Sequence, residues 1–303
     1  MAFFRMLILL LFMGCLLMIR TPAAGQGQLI QKEKLLLEMY DTILKIPSDS
    51  SRITQAAVFR DSLVAFLQLP GSFSHPFRQL KNVSMLLDSK KTFRIFTYSI
   101  PLQLGTFRYV GLIQQKRPGN PKVCILADLG KKTSGVETKV LDSMQWYGAL
   151  YYQLIEKKHD NRLIYTLLGW DGNDLNSNRK VIEILTFNEL EEPLFGLPIF
   201  RGGSYDSNVR IIFEFAENAV MALRYDQQYI ITSKTWNAAK RGYDQKRKRA
   251  SLIVFDRLVP LDERLPDDKR FHIPALDAFD GFIFTGGVWE FVTGVDVRNP
   301  AKK

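Results

Sequence analysis

Apolar positions recur with one period up to about residue 71 and with another after residue 78. In the first stretch Leu36, Tyr40, Ile43 and Leu44 fall at helical spacing with charges opposite, which predicts a helix over 29–46. Pro47 ends it, and Ser48, Asp49, Ser50 and Ser51 supply a turn with N-cap residues. Ile53, Ala56, Ala57, Leu63, Val64 and Leu67 predict a second helix over 53–69, stopped by Pro70 and Gly71. So short a connection implies an antiparallel helical hairpin. Two helices are too few to hide their own apolar faces, so the hairpin is expected to lie against the β-rich remainder of the chain.

After residue 78 the chain reads as strands. The run 93–100 is rich in aromatic and β-branched residues, and 106–114 matches it across Leu104-Gly105. A strand at 123–126 comes after the turn at 117–121, and 131–145 is compatible with a short helix. The runs 149–155 and 163–168 form a second hairpin across a polar turn at 156–161. A polar loop at 171–178 leads to a strand at 181–187. Val209, Ile211, Phe213 and Phe215 alternate cleanly onto one face, leaving Glu214 on the other. Runs at 220–225 and 228–232 are separated by Asp226-Gln227, and runs at 252–259 and 281–292 complete the set. Closely spaced strands with tight turns and no βαβ rhythm predict a mainly β fold, an antiparallel meander with the helical hairpin at its N-terminus. A barrel, a sandwich and a propeller-like sheet all remain open. The expected organisation is a signal peptide at 1–25, the hairpin at 26–71 and a β-rich domain at 78–303.

The expected signal peptide rests on order: Arg5, then an apolar run at 6–19 broken only by Gly14 and Cys15, then Arg20 and the small residues Ala23 and Gly25. The run is shorter than the ~20 residues of a membrane span. A cut near Gly25 removes Arg5 and Arg20, so the formal net charge of +10 falls by two to +8. An exported protein with that balance suits anionic lipid or acidic glycans better than nucleic acid, solubility alone is the favoured reading of the charge, and no nucleic-acid partner is expected. No transmembrane segment is expected in the mature chain, and its location is the periplasm or cell surface. Only Cys15 and Cys124 are present, so a mature chain has no internal disulfide. Cys124 lies in an apolar strand and reads as structural.

Candidate chemistry is sparse. Asp171, Asn173 and Asn176 crowd oxygen atoms into one loop, and Ca²⁺ wants six to eight of them. The EF-hand order fails, and Asp-Gly with Asn also serves hairpin turns, which is the favoured reading. No other cofactor is expected. His75, His159 and His272 have no metal-ligand spacing. No G-x-S-x-G elbow is present, although a Ser-His-Asp triad can assemble from distant positions. Glu183, Glu214 and Glu290 each sit inside an apolar strand run; two of them facing each other beside Trp170, Trp236 or Trp289 would suit glycoside hydrolysis. The alternative is that they face solvent. The basic run 246–249 would suit anionic lipid or polyanions, or a solvated turn between strands.

Four phrases occur together: 146–152 (WYGALYY), 165–173 (YTLLGWDGN), 195–200 (FGLPIF) and 280–282 (DGF). In these the chain resembles a family of uncharacterised exported proteins of Bacteroidota. The resemblance implies a periplasmic or surface location and carries no activity, cofactor or catalytic residue. The expected function is therefore that of an exported, non-catalytic envelope protein binding a protein or glycan partner, with a carbohydrate-active hydrolase as the alternative.

Overall fold

The computed structural model describes residues 22–129 and 132–297. The apolar run 6–19, Cys15 and the rest of the expected signal lie outside the described residues up to Thr21. Helix α1 (Pro22–Lys45) starts upstream of the expected cut and ends before Pro47. Helix α2 (Asp49–Leu67) begins four residues earlier than its apolar pattern, with Ser48 in the extended N-cap conformation and Asp49 in the first turn. No helix among the described residues is long and apolar enough to cross a membrane.

The β region is neither barrel nor propeller. It is a stack of three open sheets, mainly antiparallel. Sheet one is a meander of β1 (Ser84–Leu87), β2 (Phe93–Pro101), β3 (Phe107–Gln115) and β4 (Lys122–Leu126). Sheet two contains β5 (Leu141–Asp142), β6 (Leu150–His159), β7 (Arg162–Asp171), β8 (Ser177–Phe187), β9 (Pro193–Phe195) and β11 (Arg210–Ala216). Strands β11 and β9 lie end to end along one edge of β8, and β7 takes the other edge. Sheet three runs β10 (Phe200–Arg201), β15 (Val288–Thr293), β14 (His272–Thr285), β13 (Gly242–Pro260) and β12 (Leu223–Asn237), with β10 parallel to β15.

Side-chain alternation along the strands builds the stack. Tyr40, Phe59 and Leu63 of the helices bury against Phe96, Tyr98 and Leu112 on one face of sheet one. The opposite face, with Ile95, Tyr109 and Ile113, packs on Tyr151, Leu167 and Val181 of sheet two. The far side of sheet two, with Leu168, Ile182 and Phe213, packs on Ile253, Phe282 and Trp289 of sheet three. The order is therefore helices, sheet one, sheet two, sheet three. Strand β2 is buried along most of its length because both its faces are covered. Polar contacts fix the helical layer among the apolar ones: the Tyr40 hydroxyl donates to the Ser99 carbonyl at 3.0 Å, Gln114 Nε2 donates to the Leu67 carbonyl at 2.7 Å, and a buried carboxylate holds the segment that follows the helices. Glu33 on α1, 2% exposed, accepts from the backbone N–H groups of Gln79 (2.5 Å) and Leu80 (3.1 Å) and bonds His75 Nε2 (2.8 Å).

Several expected boundaries change. Within 131–145 the described residues, from 132 on, include a 3₁₀ turn at Val136–Thr138 and the two-residue β5, and no helix of several turns. The 156–161 turn shrinks to Asp160-Asn161, both with positive φ, which is the backbone a two-residue hairpin requires. Asp226-Gln227 makes no turn and lies within β12. The run 281–292 is split by Gly286 and Gly287, at φ +56° and +86°, into β14 and β15. The basic run 246–249 is strand, not turn.

Candidate functional site

The hairpin between β7 and β8 pairs Asp171 with Arg179, and β11 then pairs Glu214 with Arg179 and Arg210 with Glu183. Odd-numbered positions of β7 and β8 and even-numbered positions of β11 point toward sheet one. One face of sheet two therefore carries two cross-strand ion pairs of opposite order, separated by Val181 and Ile212. Alternation along 209–215 sets Glu214 on the solvent side of its strand; sheet one and the 132–149 segment cover most of this face.

The Glu183–Arg210 pair is sealed, with neither side chain exposed. Glu183 Oε1 accepts from Arg210 at 2.5 Å and Oε2 accepts from the Tyr151 hydroxyl at 2.9 Å. Arg210 also donates to the carbonyls of Phe195 (3.1 Å), Lys139 (3.3 Å) and Val136. Tyr151 in turn accepts from Trp146 Nε1 at 2.9 Å. Burial first, and the Glu183 charge second, push the Tyr151 hydroxyl well above the ordinary tyrosine range. A carboxylate bonded at both oxygens and closed off from solvent is a structural group.

The second pair opens outward. Arg179 Nε and Nη2 donate to Glu214 Oε2 at 3.1 and 3.0 Å, and Ser177 Oγ bonds Glu214 Oε1 at 2.6 Å. Arg179 and Glu214 side chains are 24% and 18% exposed. Burial pulls the Arg179 guanidinium down, but Tyr147, Glu214 and Asp171 outweigh it and the net shift is upward. Beneath them the Tyr147 hydroxyl donates to Asp171 Oδ2 at 3.0 Å, and burial followed by the Asp171 charge holds that hydroxyl neutral far above its usual range. These groups floor a small polar cleft of about 220 Å³, rimmed by Thr133, Glu137 and Lys269.

The loop expected to bind calcium or turn the chain is the hairpin connection itself. Asp171 Oδ1 accepts from the Asn173 N–H (3.0 Å), Asp174 Oδ1 accepts from the N–H groups of Asn176 (2.8 Å) and Ser177 (3.1 Å), and Asn173 sits at φ +38°. Gly172 N–H donates to the Tyr109 hydroxyl at 2.8 Å, tying the turn to sheet one. The Asx pattern is that of a polar turn.

The chain matches no family model, no curated protein and no solved structure. The site therefore has to be read from its own geometry. Of the three strand carboxylates, Glu183 is sealed, Glu214 faces the cleft, and Glu290 is exposed on β15 of sheet three. They are not assembled together. The carboxylate that shares the cleft with Glu214 is Glu137, from the 3₁₀ turn. The named tryptophans are also dispersed. Trp289 is fully buried and donates to Thr166 Oγ1 at 3.0 Å, Trp170 packs edge-on against Phe107, and Trp236 is 56% exposed in the β12–β13 hairpin. Cys124 is half-buried, and burial raises its thiol. Arg179, Tyr147, Glu137 and Lys269 were not singled out from the sequence. A strand start at Ser177 would have placed Arg179 opposite Asp171 and exposed the first of them.

Proposed function

We propose that this is an exported envelope protein that acts without catalysis, and that the cleft over Arg179 and Glu214 takes a glycan. The observation that carries the reading is the hydrogen-bond order around Glu214. Both of its oxygens already accept, one from Ser177 and one bidentately from Arg179. A planar, pre-fixed guanidinium–carboxylate pair presents acceptors and donors side by side, the arrangement that neighbouring sugar hydroxyls satisfy. Lys269 and Thr133 add donors at the rim and Glu137 adds an acceptor. The N-terminal order of charge, apolar run and small residues supports export.

The test is a glycan array followed by saturation-transfer NMR on any glycan retained. Glu137→Gln and Lys269→Ala each lower affinity about tenfold, the scale of one charge-assisted hydrogen bond, with an unchanged melting temperature. Glycans that bind wild type and both variants alike place the ligand elsewhere. Release of reducing sugar by wild type, lost in Glu137→Gln, would replace this reading with hydrolysis, since Glu137 and Glu214 share the cleft.

A further inference from the structure

Strands β12 and β13 continue past their sheet. From Leu252 onward β13 is paired on its other side by β14, but 242–251 is paired with β12 alone. At the rise of a β-strand this leaves a two-stranded ribbon about 30 Å long standing outside the stack. Its end carries Trp236 opposite Tyr243, ring centroids 5.2 Å apart and edge-to-face, 56% and 63% exposed. Lys240 and Arg241 lie in the turn beyond this pair, and Lys246, Arg247, Lys248 and Arg249 follow it toward the sheet, all exposed. The only carboxylate between 233 and 249 is Asp244, bonded to Lys240 at 2.8 Å and to Asn237 at 2.7 Å. Arg247 is paired with Asp296 at the base of the ribbon.

We propose that this ribbon docks on an anionic lipid surface, with the Trp236–Tyr243 pair inserted at headgroup depth and the cations over lipid phosphates. Tryptophan and tyrosine are the residues whose half-polar rings favour that depth. Basic residues close behind them draw the ribbon to negatively charged headgroups. Both strand faces carry cations, since alternation sends Lys246 and Lys248 to one side and Arg247 and Arg249 to the other. A ribbon standing upright among headgroups meets phosphate on every side, whereas a flat protein partner covers one face. The proposal is independent of the glycan cleft, which lies on sheet two.

The experiment is co-sedimentation of the full chain with two vesicle types, phosphatidylcholine alone and phosphatidylcholine with phosphatidylglycerol in a two-to-one ratio. The apolar run 6–19, with Arg5 and Arg20 beside it, is the same in every protein tested, so the difference between wild type and the ribbon variants on anionic vesicles isolates the ribbon. Wild type prefers the anionic vesicles, and the preference falls with added salt. Neutralising one cation costs about fivefold in partitioning, so Lys248→Gln/Arg249→Gln costs roughly 25-fold. Lys246 and Arg247 are kept because both are partnered within the chain. Anionic vesicles also shift the fluorescence of wild type to the blue, and Trp236→Phe abolishes the shift. Circular dichroism of these exposed-site variants matches wild type. Equal binding of wild type and the double variant to anionic vesicles overturns the proposal. So does a wild type that ignores both vesicle types while binding a DNA duplex or heparin.

Discussion

Replacing Arg210 with methionine tests the claim that Glu183 is structural. The guanidinium has no exposed surface and makes five hydrogen-bonding approaches: two to Glu183 Oε1 and one each to the carbonyls of Val136, Lys139 and Phe195. Methionine fills much of the volume but supplies none of these. Glu183 keeps only the Tyr151 hydroxyl, and three carbonyls lose a donor. Leaving a buried charge uncompensated costs about 3–5 kcal/mol. A domain's whole stability is about 5–15 kcal/mol, so the loss is a large fraction of it.

The assay is urea denaturation at neutral pH, with the midpoint shift read at constant m-value. Glu183→Leu/Arg210→Met removes both charges at once. It still orphans the Tyr151 hydroxyl proton and the carbonyls, so it remains less stable than wild type, by about 2 kcal/mol. It is nevertheless more stable than Arg210→Met alone, because the single variant retains an unpaired carboxylate. A loss below about 1 kcal/mol for Arg210→Met would refute the reasoning, since no buried charge could then be relying on that partner. Additivity of the two single changes in the double variant would refute it equally, because residues sharing one network should couple by about 0.5–3 kcal/mol.

Burial raises the hydroxyls of Tyr98, Tyr109, Tyr147 and Tyr151 above the ordinary value of 10.0. Above pH 10 the unfolded chain therefore holds fewer protons than the folded one, and stability that is complete below pH 10 is lost as pH rises, by about 1.4 kcal/mol per pH unit for each tyrosine. Circular dichroism and tyrosinate absorbance should thus change together in one alkaline transition; ionisation of these four near pH 10 within an intact fold would contradict the burial argument. Glu33→Ala strips the N–H groups of Gln79 and Leu80 and the His75 ring of their acceptor and should cost about 3 kcal/mol in urea denaturation, against less than 1 kcal/mol for the exposed Glu38→Ala. Calcium and chelator should leave the melting temperature unchanged, because the Asp171 and Asp174 oxygens already serve the hairpin backbone; a rise that saturates with calcium would place an ion at Asp171, Asn173 and Asn176.

What could be read in advance depended on which force each residue answers to. The helices and the strands at 93–100 and 209–215 announce themselves because their apolar positions repeat with the period of the element they form. The stack of sheets does not. Alternation along 209–215 marks one buried face and by default gives the other, with Glu214, to water, a rule that holds for a sheet covered on one side. Sheet two is covered on both. Its second face hides charge by pairing it, Glu183 with Arg210 and Arg179 with Glu214, and those partners come from strands 27 and 35 residues apart in sequence. Their identity is set by the register of β11 on β8, which no local pattern encodes.

The ribbon was hidden for the opposite reason. Hydrophobic periodicity reports burial, and the described side chains between 233 and 249 bury little on either face, so a continuous pair of strands read as a loop with a basic run. Cross-strand hydrogen bonds hold it, and a two-stranded ribbon without a packed face is only marginally stable by that means alone. Lys246, Lys248, Arg249 and the Trp236–Tyr243 pair thus add no core burial to the fold, and repulsion among close cations weakens it. The Trp236–Tyr243 pair steadies only the hairpin tip, and the crowded cations work against the ribbon's stability, which fits a contact outside the chain that the lipid assay addresses directly.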